Sequence, residues 1–296
     1  MGHNENNVDN IYTNPVVVKE YGISREIPEC ILDEYAAKLA LATEIGGKII
    51  DIGCGTGTVL ASLAKKWHPR VVYGIDSSEE MIWVTKKRMQ EKWIQNTYLI
   101  DVDFVTEYSH YAKYKFDVTH LKAITHIPET PELLLRQVIH VTKKGGKIVL
   151  GKEWSQPEDN LERIWKYTEN TNPELEEFYR EYFKLRDEIW KPFQTPQMPA
   201  WDYENAKWYL ESMWIVFDTR ERVTSIWQKG LKIGDLIKAI RIGTFTVMRK
   251  WLTEWERNNL AKNMESFCQQ KNIDIEEEKT FPAQLRMIVG KKPFTL

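Results

Sequence analysis

The chain reads as an α/β fold with a doubly wound, mostly parallel sheet, and three observations carry that reading. An apolar β-branched run, a glycine-rich turn and a helical pattern follow one another at Lys48-Ile49-Ile50-Asp51-Ile52-Gly53-Cys54-Gly55-Thr56-Gly57 and onward. Further short apolar runs at 71–75, 98–100, 116–121 and 147–150 alternate with stretches of helical spacing. At 296 residues, 42% hydrophobic and 28% charged, the chain is large enough to bury a full core.

Composition excludes several classes. A formal net charge of −2 gives no general attraction to nucleic acid. Cys30, Cys54 and Cys268 are too widely spaced for a zinc cluster or a disulfide framework, which predicts a reducing, cytoplasmic setting. The opening residues are polar and lack the apolar centre of a signal peptide, and no run is long and apolar enough to span a bilayer. Twelve tryptophans are available either for the core or for lining a small-molecule pocket.

Taken in order, the first helix opens at Pro28-Glu29, carries Ile31, Leu32, Tyr35, Leu39 and Ala42 at helical spacing, and stops at Gly46-Gly47. The strand ending at Ile52 follows. Alternating glycines strip the turn of Cβ atoms, so a ligand can lie on bare backbone beside the N–H groups of the next helix. The spacing G-x-G-x-G places Thr58 where a dinucleotide fingerprint has its third glycine. Asp51, two residues ahead of Gly53, would repel a pyrophosphate and welcome a cation. A ligand with an ammonium and a sulfonium suits this turn better than a diphosphate.

The stretch closely resembles the first motif of the class I S-adenosylmethionine-dependent methyltransferases. The second strand ends at Asp76, and Ser77-Ser78-Glu79-Glu80-Met81 then opens a helix; Gly-Ile-Asp-Ser-Ser-Glu-Glu-Met at 74–81 looks like the family's second motif. The resemblance implies a Rossmann-like sheet of seven strands with an antiparallel last strand, and S-adenosylmethionine as cofactor. It further implies contacts from Asp51, Gly53, Cys54 and Gly55, ribose hydroxyls on Asp76 with Ser77 beside it, and Met81 against the adenine. After the third strand, Asp101-Val102-Asp103 offers an acid for the adenine amino group. Asp103 has the more typical distance to the next motif, with Asp101 as the alternative and Val102 between them.

Phe116-Asp117-Val118-Thr119-His120-Leu121, continued by Ala-Ile-Thr-His-Ile-Pro at 123–128, looks like the family's fourth strand and the turn after it. Leu121 and Lys122 take positions that face the methionine part of the cofactor. Lys122 departs from the small or polar residue expected there, so it points either at the carboxylate of that methionine or away. His126 is either a base near the methyl group or a structural histidine. Leu133, Leu134, Gln137 and Val138 mark the next helix, Lys143-Lys144-Gly145-Gly146 a turn, and 147–150 the fifth strand. Glu153 and Trp154 then stand at a strand's carboxyl end, where doubly wound sheets bind ligands.

Two helical insertions follow. The stripe Leu175, Phe178, Tyr182, Leu185, Ile189 runs to about Trp190, and prolines at 192, 196 and 199 end it. Trp201-Asp202-Tyr203 starts another helix. The segment 225–271 reads as helical, with a capping box at Thr253-x-x-Glu256 and Leu252, Trp255, Leu260, Met264 and Phe267 along one side. Residues 285–289 form the terminal strand. The expected organisation is an N-terminal cap segment 1–44, a cofactor-binding core 45–155, a helical cap insertion 156–214, and a C-terminal part 215–296 containing the second insertion 225–271.

The expected chemistry is methyl transfer to an N, O or C atom of a small organic acceptor. His126, Glu153 and Tyr21 are the catalytic candidates, and His120 is a further side chain to test. Trp154, Lys122, Trp201 and Tyr203 are the acceptor-binding candidates. No nucleic-acid, membrane or metal partner is expected. Methylation of a nucleic acid or protein, and a non-catalytic scaffold, are the alternatives. The first lacks an Asn/Asp-Pro-Pro-aromatic motif, and Asp51 and Asp76 speak against the second.

Overall fold

The computed structural model describes residues 27–66, 69–122, 130–155, 172–190, 203–243 and 252–294, with Asn14, Val17, Val18 and Ile124 besides; for Arg70, Trp154, Ser155, Asp187 and Trp190 it describes the backbone. The elements are α1 (Glu29–Ala40), β1 (Gly47–Ile52), α2 (Thr58–Ala64), β2 (Pro69–Asp76), α3 (Glu79–Glu91), β3 (Thr97–Asp101), β4 (Phe116–Lys122), α4 (Pro131–Val141), β5 (Thr142–Ser155), α5 (Pro173–Trp190), α6 (Tyr203–Ser212), β6 (Val216–Phe217), β7 (Arg222–Val223), β8 (Trp227–Lys232), α7 (Ile233–Ile242), α8 (Glu254–Lys271) and β9 (Glu278–Lys291).

The chain divides into two compact units. The larger holds Ile27–Glu153, Pro199–Ser225 and Gln284–Leu296. Its strands run β3-β2-β1-β4-β5-β9-β6. β1, β2, β3, β4 and β5 pair in parallel, and β9 is antiparallel to β6 and β7. Parallel central strands are covered on both faces, so they must be apolar almost throughout. Ile49, Ile50, Ile52, Val72, Val118, Ile148 and Val149 are accordingly buried. The polar exceptions each have a partner: Thr119 bonds Thr142 at 2.8 Å, and Asp51 bonds His120 at 2.7 Å. The mostly parallel sheet with an antiparallel strand is the expected architecture, enlarged beyond seven strands by short pieces on β9.

Local differences have local causes. The turn expected at 143–146 lies inside β5. Its extra residues are absorbed by a register shift, since Phe116 faces Thr142 while Val118 already faces Lys147, and Gly145 takes φ +75°. In α4 the buried face is Leu134, Leu135, Val138 and Val141, and Leu133 points outward. A stripe at three- and four-residue spacing fits the second set. The buried Lys292 amine donates to the carbonyls of Ile139 (2.7 Å) and Thr142 (2.9 Å), closing the C-terminus of α4.

The second unit holds Met1–Glu26, Trp154–Met198 and Ile226–Ala283. Its core joins Leu175 and Phe178 of α5, Ile233, Leu236, Ile237 and Ile240 of α7, and Leu260, Ala261 and Met264 of α8. The stripe expected on α5 faces this core, with Tyr182, Leu185 and Ile189 partly buried against it. The capping box on α8 is present: Glu256 N–H donates to Thr253 Oγ1 and Thr253 N–H to Glu256. Trp255 is exposed, because five residues to Leu260 put it on another face. The segment 225–271 is not wholly helical: Trp227–Lys232 forms β8, antiparallel to Glu278–Ala283 of β9.

Candidate functional site

The carboxyl ends of β1, β2, β3 and β4, with β5 as far as Glu153, lie side by side in the larger unit and bring together most of the described residues singled out above. β1 ends in the turn, and Gly53, Gly55 and Gly57 all take left-handed φ values, +69°, +55° and +71°. A methyl group on Gly53 would strike the Ile124 side chain, whereas one on Gly55 would meet no atom of the described residues within 4 Å. Among the described residues the turn is thus packed on one side and bare on the other.

Several bonds hold this backbone. The N–H groups of Gly53 and Cys54 donate to the Ile75 carbonyl at 2.8 and 3.0 Å. Thr85 Oγ1, on α3, donates to the Gly55 carbonyl at 2.7 Å, and Arg88 Nε donates to that of Thr56 at 2.9 Å. The sequence reading missed Thr85 and Arg88. Thr85 is wholly buried, and nothing in the sequence marks it. Cys54 is buried, and burial followed by the nearby Asp76 and Asp51 carboxylates pushes its thiol well above the ordinary range. It is filler in the turn, not a nucleophile.

Asp76 closes β2. Its Oδ2 accepts from Gly55 N–H at 2.8 Å and its Oδ1 from Ser78 N–H at 3.0 Å. A carboxylate has about four acceptor positions, so acceptor capacity remains. Burial raises the Asp76 pKa to about 6, against the lowering effect of these two N–H groups. Ser78 caps α3 by accepting from Met81 N–H at 3.1 Å, Met81 is buried and Ser77 exposed. Asp101 is exposed and pairs in register with Asp76. Val102 N–H donates to the Asp76 carbonyl at 3.1 Å. Asp103 Oδ1 accepts from Val105 N, Thr106 N and Thr106 Oγ1 at 2.8, 2.6 and 2.9 Å, so that oxygen builds the local turn.

On β4, Leu121 is buried and Lys122 half-buried, the latter in register with Gly151 of β5. Glu153 is half-buried two residues further along β5, and Trp154 follows it in the strand. Lys152 Nζ lies 4.5 Å from the centre of the Tyr203 ring. The Tyr203 hydroxyl faces Glu221 without a well-formed hydrogen bond, and burial followed by that carboxylate raises its pKa. His126, Tyr21 and Trp201 lie outside the described residues.

The family profile described as "Methyltransferase domain" matches residues 44–211, more than half of the chain. The chain belongs to this methyltransferase family. It is of the class I, S-adenosylmethionine-dependent kind, and S-adenosylmethionine is its cofactor. Among curated relatives, the methyltransferase is 30% identical over 105 residues to the ubiquinone biosynthesis O-methyltransferase of Coxiella burnetii, covering 35% of this chain and 42% of that protein. It is 29% identical over 146 residues to that of Escherichia coli O127:H6, covering 46% and 57%. The chain thus spans about half the length of the curated relatives it matches. Among solved structures, BH2331 of Bacillus halodurans C-125 aligns with a TM-score of 0.51 at 19% identity, covering 87% of this chain and 98% of that one. The [4+2]-cyclase SpnF aligns at 0.53 and 12% identity, covering 96% and 93%. These two likenesses are of fold.

The residues of the methyltransferase fit its cofactor. The open side of Gly55 is a cradle that any Cβ would enter, and the Asp76 carboxylate beside it is fixed, half-buried and still able to accept.

Proposed function

We propose that this methyltransferase moves the methyl group of S-adenosylmethionine to an N, O or C atom of a small organic acceptor. The observation that carries the reading is Asp76, held by the N–H groups of Gly55 and Ser78 next to bare backbone. Two hydroxyls of a ribose suit its remaining acceptor positions. In this reading Gly53, Cys54 and Gly55 give backbone contact, and Asp51 takes the ammonium. Ser77 lies by the ribose, and Met81, Val102 and Leu121 supply apolar contact. Asp103 offers Oδ2 to the adenine amino group, with Asp101 as the alternative.

When bound, the cofactor supplies an electrophilic methyl group on a sulfonium. The chain's own task is to position the acceptor, exclude water and take up a proton. Glu153 is proposed as the proton acceptor, with His126 and Tyr21 as the other candidates. Lys122, Tyr203, Trp154 and Trp201 are proposed to meet the acceptor. The relatives' being O-methyltransferases favours a hydroxyl as the acceptor group.

Calorimetric titration with S-adenosylhomocysteine tests the cofactor site. Asp76→Ala should weaken binding at least tenfold, the scale of losing hydrogen bonds to a charged acceptor, with the far-ultraviolet circular dichroism unchanged. Unchanged affinity would remove Asp76 from the site. Turnover on a panel of small phenols, amines and carbon acids then tests the acceptor class.

A further inference from the structure

Behind the glycine-rich turn lies a buried chain of polar groups that runs across the sheet. Asp51 and His120 face each other in register on β1 and β4. His120 Nδ1 is 2.7 Å from Asp51 Oδ1, and His120 Nε2 is 2.9 Å from the hydroxyl of Tyr35 on α1. The two rings meet edge to face, at 5.8 Å and 63°. His120 and Tyr35 have no exposed surface and Asp51 almost none.

An ionised carboxylate only accepts, so Nδ1 carries a hydrogen toward Asp51. In the neutral tautomer Nε2 is then a lone pair that receives the Tyr35 O–H, and the imidazole orients the carboxylate without cancelling its charge. Among the described residues Asp51 forms no ion pair with a lysine or arginine, and its Oδ2 has no hydrogen-bond partner. A cationic group arriving at that oxygen would complete the pairing of the carboxylate.

β5 leaves room for the arrangement. A methyl group on Gly151 would run into the Tyr35 hydroxyl and come within 3.1 Å of His120 Nε2. The φ of Gly151 is not left-handed, so what glycine supplies there is space.

We propose that His120 and Tyr35 are positioning residues: through hydrogen bonds they hold Asp51 as an anion in one rotamer, ready to receive the cationic amino group of the cofactor's amino-acid arm. The proposal rests on the reading of the turn as the S-adenosylmethionine site. It assigns these two residues to the amino-acid end alone, which makes it testable apart from that reading.

The test compares two ligands by calorimetry. S-adenosylhomocysteine carries the amino-acid arm; 5′-methylthioadenosine has the same nucleoside thioether without it. His120→Leu should weaken the first by about tenfold or more, as expected when a buried charged acceptor loses its fixed donor; Tyr35→Phe, which frees the imidazole that holds Asp51, should weaken it about threefold or more, and both should leave the second within about twofold. Gly151→Ala, which displaces the Tyr35 hydroxyl, should act like Tyr35→Phe. His120→Asn keeps a donor near the Nδ1 position and should recover most of the affinity. If His120→Leu does not fold, Tyr35→Phe and Gly151→Ala carry the comparison. In the wild-type protein, ¹⁵N NMR should show His120 protonated on Nδ1 and bare on Nε2 at neutral pH. Equal loss of both ligands, no loss of either, or the opposite tautomer would overturn the proposal. Wild-type protein that binds neither ligand would overturn the cofactor reading and this proposal with it.

Discussion

Asp76 is pushed by burial from an ordinary carboxyl pKa of 3.8 to about 6, and the direction has a consequence for stability. A carboxyl whose pKa is higher in the folded chain binds its proton more tightly there than in the unfolded chain. Between about pH 4 and 6 the folded state therefore holds more protons, and the ligand-free protein loses stability as pH rises through that window. The loss is about 1–3 kcal/mol and persists above pH 6. Denaturant titrations of wild type and Asp76→Asn at pH 5 and pH 7 should show it: the variant gains on the wild type as pH rises. A difference that does not change with pH would remove Asp76 as the source. Ribose hydroxyls donating to the ionised form reverse the preference, so S-adenosylhomocysteine affinity should fall as pH drops below about 6. At this scale an acid at the end of an apolar strand was legible in its place, beside the glycine-rich turn. The donors that occupy Asp103 Oδ1 were not, because a turn built by Val105 and Thr106 has no signature beyond the acid itself.

Among the elements, the turn from β1 to α2 separates two uses of glycine. Gly55→Ala places a methyl group, at φ +55°, in space that no described residue fills. It should cost about 1–2 kcal/mol of stability from the left-handed backbone and lower S-adenosylhomocysteine affinity at least tenfold, because the methyl enters the proposed cradle. Gly57→Ala would drive a methyl group to 2.6 Å from Thr85 Cγ2, so it should destabilise more by thermal melting. The reverse order of stabilities would show that the open side of Gly55 is filled in solution. Strand, turn and helix were readable here because the apolar run, the glycines and the helical spacing agree. The grip of Thr85 and Arg88 on the turn carbonyls was not, since α3 reaches them only after β2 has paired with β1. β8 escaped as well: its pairing with β9 joins residues about fifty positions apart, and local spacing carries no trace of such a partner.

Among the described residues, each unit has a hydrophobic core of its own. All the proposed cofactor contacts, Asp51 through Leu121, lie in the larger unit, while Leu260 sits at the centre of the second core. Leu260→Ala should cost about 2–5 kcal/mol by opening a cavity, and S-adenosylhomocysteine affinity should stay within about twofold at a temperature where the variant is folded. A parallel loss of affinity would mean that the second core supports the cofactor site. Each unit is assembled from three separate stretches of chain.

The sequence by itself determined the sheet's parallel centre, the glycine-rich turn and the acids at the strand ends, because each is set by neighbours within a few residues or by one strand-to-helix step. Tertiary structure alone decided which polar groups meet. Asp51, His120 and Tyr35 are separated by up to 85 positions, and a polar residue in a buried strand announces that it needs a partner without saying which. Hydrogen bonds are short and directional, and that choice exists only once the strands are in register.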